Sequence, residues 1–166
     1  MKYLYAPWRS PYSSGVHKTK HEKATEKDCV FCLQFKEKND AEHFILKRTK
    51  YNAIMLNKFP YNAGHLLIMP LGHHASLDKL SKPARTELME LVAKTTQLLE
   101  KELTADGINI GLNLGKAAGA GIPSHLHFHV LPRWHGDTNF LPTLTDTKQI
   151  SFDLRNIYEQ LKKKFK

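Results

Sequence analysis

The sequence predicts an α+β domain: an antiparallel sheet packed by one long central helix and a second helix at the C-terminus. Three patterns carry that expectation. The run Ser124-His125-Leu126-His127-Phe128-His129-Val130-Leu131-Pro132 alternates histidines with large apolar side chains at the period of a strand, and short apolar runs between Phe44 and Met69 are separated by turn residues. After Ser81, apolar residues recur at helical spacing instead.

Residues 1–28 are polar and interrupted by Pro7, Pro11 and Ser13-Ser14-Gly15, which predicts an arm ahead of a single domain spanning 29–166. Trp8 and Tyr12 are its candidate anchors, since aromatic surface gains most from burial, and Arg9 is either a phosphate contact or a plain surface cation. Cys29-Val30-Phe31-Cys32 opens the domain. A lone C-x-x-C fits a redox pair, half a zinc site or two small buried thiols. No second cysteine pair follows, so a tetrahedral zinc site would be completed by histidines, drawn from His43, His65, His73, His74 and His125.

Phe44-Ile45-Leu46, Ala53-Ile54-Met55-Leu56 and Leu66-Leu67-Ile68-Met69 read as buried strands of an antiparallel meander, the last two joined by the turn Lys58-Phe59-Pro60-Tyr61-Asn62-Ala63-Gly64. Ser81 is a helix cap and Pro83 fits the first turn. Ala84, Leu88, Leu91, Val92, Thr95, Leu98 and Leu99 then define the buried stripe of a helix ending near Thr104 or Asp106. Ile108 to Asn113 is the next strand. A loop of small residues, Leu114 to Pro123, leads into the histidine strand, whose alternation places His125, His127 and His129 on one face and Leu126, Phe128 and Val130 on the other. A final amphipathic helix uses Phe152, Ile157, Tyr158 and Leu161, and its terminal lysines suit the negative end of a helix without any ligand.

Composition narrows the class. A chain of 166 residues is long enough to bury one core without staples. Its net charge of +9 and isoelectric point near 9.5 admit polyanionic partners. Nucleic acid is not the expected one, because no basic-aromatic face or nucleic-acid module is present. No apolar run is long enough to span a membrane, Met1 to Tyr5 is no signal peptide, and two cysteines form no disulfide framework, so a reducing cytoplasm is the expected compartment.

Imidazoles beside a loop without bulk point to phosphate chemistry, because backbone N–H groups can approach an anion closely there. The motif His125-Leu126-His127-Phe128-His129-Val130-Leu131 resembles the signature of the histidine triad (HIT) superfamily of nucleotidyl hydrolases and transferases. The stretch from Asn57 to Pro70 resembles that family's strand and ribose-binding turn. The loop from Asn113 to Ser124 and the tail from Pro132 to Phe140 resemble its bacterial dinucleoside-tetraphosphate phosphorylase branch.

The resemblance implies a HIT-like fold, a homodimer and a nucleotide substrate, with His127 as nucleophile on the α-phosphorus and His129 hydrogen-bonded to phosphate or leaving group. A structural bond to backbone is the plainer role for His129. Asn57 corresponds to a ribose-binding position and His65 to one near the nucleotide; a turn residue and a hydrogen-bonded strand histidine are the plainer readings. Asn113, Gly119, Ala120, Gly121 and Ser124 would bind or frame the α-phosphate, while Phe31 and Phe59 would contact the base or belong to the core. Relatives with this C-x-x-C complete a structural zinc site with residues matching His73 and His125, His74 standing adjacent. Gly121 stands where hydrolase branches commonly carry Gln, which leaves room for phosphate as well as water to resolve the nucleotidyl-histidine. Two alternatives stand beside this reading: a nucleoside phosphoramidate or adenylyl-conjugate hydrolase, and a nucleotide-binding sensor without turnover.

Overall fold

The computed structural model describes residues 25–145, 147–150 and 152–165. Trp8, Arg9 and Tyr12 of the expected arm lie outside them. The elements run α1 (Val30–Lys36), β1 (Ile45–Arg48), β2 (Asn52–Leu56), β3 (Leu66–Pro70), α2 (Lys82–Leu103), β4 (Gly107–Leu112), β5 (Phe128–Arg133), α3 (Leu141–Thr145) and α4 (Leu154–Lys162). The five strands form one sheet in the order β1-β2-β3-β5-β4. Every neighbouring pair is antiparallel.

Alternation divides each central strand between two cores. Ile54, Leu56, Leu66, Ile68, Leu126 and Val130 face α2 and α4, where Leu88, Leu99, Tyr158 and Leu161 meet them. Met55, Leu67 and Met69 face the opposite way and pack on Cys29, Phe31, Cys32 and Ile122. Burying each large aliphatic side chain contributes about 1.5 to 3 kcal/mol. A sheet covered on both sides explains why β2 and β3 read as unbroken apolar runs rather than half-polar strands.

The long helix begins where its cap predicts. Ser81 Oγ accepts from the Ala84 N–H and Pro83 occupies the first turn. It ends at Leu103, because Thr104 adopts a left-handed conformation (φ 48°). Glu87, one turn in, ties the helix to the β1–β2 turn by accepting from Thr49 Oγ1 (2.8 Å), the Tyr51 N–H (3.0 Å) and Asn52 Nδ2 (2.7 Å).

Two expectations need correction. Phe152 is not on the C-terminal helix: Asp153 accepts from the Asn156 N–H and starts the helix at Leu154, which packs on the core in its place. The histidine strand is also shorter than its alternation implies. Ladder pairing stops at Ile68 with Phe128, and β3 closes two residues later at Pro70, which has no N–H to extend it. The Leu126 N–H instead bonds the His74 carbonyl. His125, in a bend where its N–H bonds the Ile122 carbonyl, and His127 precede β5 and still lie against Phe31, opposite the core that takes Leu126.

At the sheet's outer edge, Lys162 Nζ donates to the Ile45 and Leu46 carbonyls, both at 3.0 Å, so one terminal lysine bonds the backbone of β1.

Candidate active site

His127 is buried, with 6% of its surface exposed. Its Nδ1–H donates to the His125 carbonyl at 2.8 Å. A carbonyl can only accept, so Nδ1 carries the proton and Nε2 keeps its lone pair. Burial lowers the pKa of the ring, and the bond to the His125 carbonyl opposes that only in part. Neutral imidazole with a basic Nε2 is the form a nucleophile needs.

His129, on β5 opposite Leu67, is fixed by a second chain of bonds. His65 is fully buried, and its Nδ1 accepts from the Tyr61 backbone N–H (3.1 Å). Only a nitrogen without hydrogen can accept, so the His65 proton lies on Nε2. That Nε2–H donates to His129 Nδ1 at 2.9 Å. His129 therefore bears its own proton on Nε2. Tyr61 stacks on the His129 ring at 5.9 Å, and the rings of His127 and His129 are 5.0 Å apart.

His127 and His129 border a cavity of about 300 Å³ whose walls include Phe31, Asn57, Phe59, Asn113, Gly119 and Gly121. Phe31 sets its ring edge against His127 at 5.4 Å, while Phe59 is nearly half exposed. Asn57 serves the turn as well: its Oδ1 accepts from the Phe59 N–H at 2.9 Å. Three expected contacts do not line the cavity. His65 lies behind His129, and Ala120 and Ser124 are buried outside the lining. The loop also uses its own donors, since the Gly119 N–H bonds Lys116 and the Ala120 N–H bonds Gly115. Gly119 is needed for its left-handed φ of 90° rather than for a close approach, as a Cβ there would meet open space.

Cys29, Cys32, His73 and His125 cluster beside the His127 ring, their four ligand atoms within 4.8 Å of one another. Cys29 Sγ and Cys32 Sγ are each 3.4 Å from His125 Nδ1, and Cys32 Sγ is 3.3 Å from His73 Nδ1. A tetrahedral zinc ion with ordinary Zn–S and Zn–N bonds separates such donors by about 3.5 Å. His125 Nε2–H is held by the Pro70 carbonyl at 2.9 Å, which leaves Nδ1 as the ligand atom. Burial, followed by the neighbouring His73 and His127, lowers the His125 pKa to about 4 against the opposing pull of that carbonyl, so the ring is neutral. Burial and the adjoining Cys29 push the Cys32 thiol up to about 12, and a cation between the sulfurs is what would hold it as thiolate. The donor set, spacing and tautomer all fit a metal. His43 and His65 bond elsewhere, and His74 offers its backbone to Leu126.

The HIT domain family model matches residues 38–136. The chain belongs to the HIT domain family. An AP-4-A phosphorylase of Mycobacterium tuberculosis (strain H37Rv) is 31% identical over 153 residues, covering 92% of this chain and 78% of that protein. An uncharacterized HIT-like protein of Saccharolobus solfataricus, SSO2163, is 33% identical over 135 residues, covering 81% and 93%. Among solved structures, a Zn-bound histidine triad family protein from Mycobacterium smegmatis superposes with a TM-score of 0.68 at 25% identity, covering 85% of this chain and 95% of that one.

Membership accounts for the triad but not for the whole cavity of this HIT chain. Val30, Gln34, Met55, Lys58 and Tyr61 also line it and were not singled out from sequence. A signal existed for Gln34: it lies one helical turn beyond Phe31 and so shares its face.

Proposed function

We propose that this HIT protein is an enzyme that cleaves a phosphoanhydride of a dinucleoside polyphosphate through a nucleotidyl-histidine. The pinned tautomer of His127 carries the reading. Its Nε2 lone pair forms the N–P bond to the α-phosphorus while the bridging P–O bond breaks and the polyphosphate departs with that electron pair. The positive charge left on the ring is stabilised through Nδ1–H by the His125 carbonyl. The His129 Nε2–H donates a hydrogen bond to the leaving oxygen and stabilises the negative charge with which the polyphosphate departs. In the second half, an acceptor oxygen attacks from the vacated side, the N–P bond breaks back to Nε2, and any proton on the acceptor oxygen passes to solvent while the His129 Nε2–H keeps its hydrogen bond. His65 acts through His129 and is a positioning residue.

Asn57 is suited to the ribose diol, since its amide both donates and accepts. Asn113 and Gly121 frame the α-phosphate, and Phe31 and Phe59 flank the base. Inorganic phosphate is the favoured acceptor over water, supported by the 31% identical relative named as a phosphorylase and by Gly121. Zinc at Cys29, Cys32, His73 and His125 would supply structural cross-linking only, as protein fills all four positions. A homodimer would use β4, an edge strand whose Ile110 is half exposed. No described helix is long and apolar enough to cross a membrane.

The test is product analysis with diadenosine tetraphosphate, with and without phosphate. ADP plus ATP formed only with phosphate supports the phosphorylase, and AMP plus ATP without it supports a hydrolase. His127→Ala should abolish either reaction while still binding AMP; wild-type turnover in that variant refutes the assignment.

A further inference from the structure

Gln34 is the one polar side chain on the face of α1 that lines the cavity with Val30 and Phe31. Its Oε1 is buried and has no hydrogen-bond donor among the described residues. A buried acceptor without a donor is uncommon in a native protein, and because Gln34 lines the cavity, a turn of its amide brings Oε1 to a donor arriving with a ligand. The position is specific. Phe31 sets its ring edge against His127, and Gln34 stands one helical turn further along the same face, about 5 to 6 Å away between Cβ atoms. Val30, Phe31, Met55 and Leu67 give the cavity an apolar wall that suits the flat face of a nucleobase.

We infer that the Gln34 carboxamide is the specificity-determining contact for the nucleobase, its Oε1 accepting a hydrogen bond from the 6-amino group of a purine. The inference rests on the nucleotide reading of the cavity. An amide presents one acceptor beside one donor, which matches the amino donor and adjacent ring-nitrogen acceptor of adenine. A purine without the amino group leaves Oε1 as orphaned as it is in the free protein.

The test is calorimetric binding of AMP and of purine riboside 5′-monophosphate, which lacks only the 6-amino group, to the full chain and to Gln34→Met and Gln34→Leu. The parent should prefer AMP by about tenfold to a hundredfold. Both variants should bind the two nucleotides alike, at affinities near that of the parent for the analogue. Removing an unpaired buried acceptor should leave their unliganded Tm equal to or above that of the parent. Equal binding by the parent, or a preference that survives in a folded variant, overturns the role of Gln34 while leaving the nucleotide site in place. Absence of any AMP binding overturns both. Because the readout is binding, a failure of phosphoanhydride cleavage alone does not decide the outcome.

Discussion

His65→Phe isolates the chain of bonds that orients His129. The substitution keeps a flat ring at a fully buried position but removes both nitrogens, so His129 Nδ1 loses its donor at 2.9 Å and the Tyr61 N–H loses its acceptor. Leaving one buried polar group unpaired costs about 1 to 3 kcal/mol, which corresponds to about a 5- to 150-fold loss in kcat if the cost falls on the productive tautomer of His129. His129→Ala, which removes the donor itself, should cost about a hundredfold to a thousandfold. The assay is steady-state turnover of diadenosine tetraphosphate by both single variants and the double variant. Residues that act as one unit are not additive, so adding His65→Phe to His129→Ala should change kcat by less than about twofold. If His65→Phe leaves kcat untouched, or costs its full factor when residue 129 is already Ala, the bond chain does not control His129.

The remaining predictions test the neighbouring parts of the molecule. Metal analysis should find one zinc per chain, and either chelation or Cys32→Ser should lower Tm by more than about 5 °C; a chelator-insensitive Tm would refute a structural metal. Because burial lowers the pKa of His127, the ring stays neutral at a pH where an exposed histidine is half charged, and the acid limb of kcat/KM should lie below about 6.5. The loss then comes as pH falls through the lowered value, and an acid limb at or above 6.5 would contradict the burial argument. Gly64→Ala should destabilise the turn between β2 and β3 by at least about 1 kcal/mol in denaturant unfolding, because φ is 68° and a Cβ would collide with Leu103 Cδ1. An unchanged midpoint would show that the turn gives way.

Much of this protein is written in local pattern. The unbroken apolar run of Leu66 to Met69 and the period of 3.6 after Ser81 each reflect which surfaces must be buried, so strands, helix and cap are legible without coordinates. The opposition of His125 and His127 to Leu126 also survives the early end of the ladder, because the two cores on either side of the sheet still claim Leu126 on one side and Phe31 with the histidines on the other. The C-x-x-C left a redox pair, half a zinc site and two buried thiols open, and only the family resemblance pointed to zinc with His73 and His125.

Other features depend on contacts between distant segments, which periodicity cannot encode. Whether His73, His74 or His43 faces the cysteines is decided by the path of the chain after Pro70, which brings His73 to Cys32 across 41 residues and sets it, not its neighbour, among the four clustered donors. The tautomer of His129 is set by His65, 64 residues away, and that of His65 by a backbone N–H in the turn. Gln34 reads as an ordinary surface glutamine in a short helix until β2, β3 and the glycine loop close a cavity over its amide. Sequence alone determined which side chains could do chemistry; the tertiary structure decided which nitrogen holds each proton and which polar atom waits for a ligand, because those are properties of the partner across the fold.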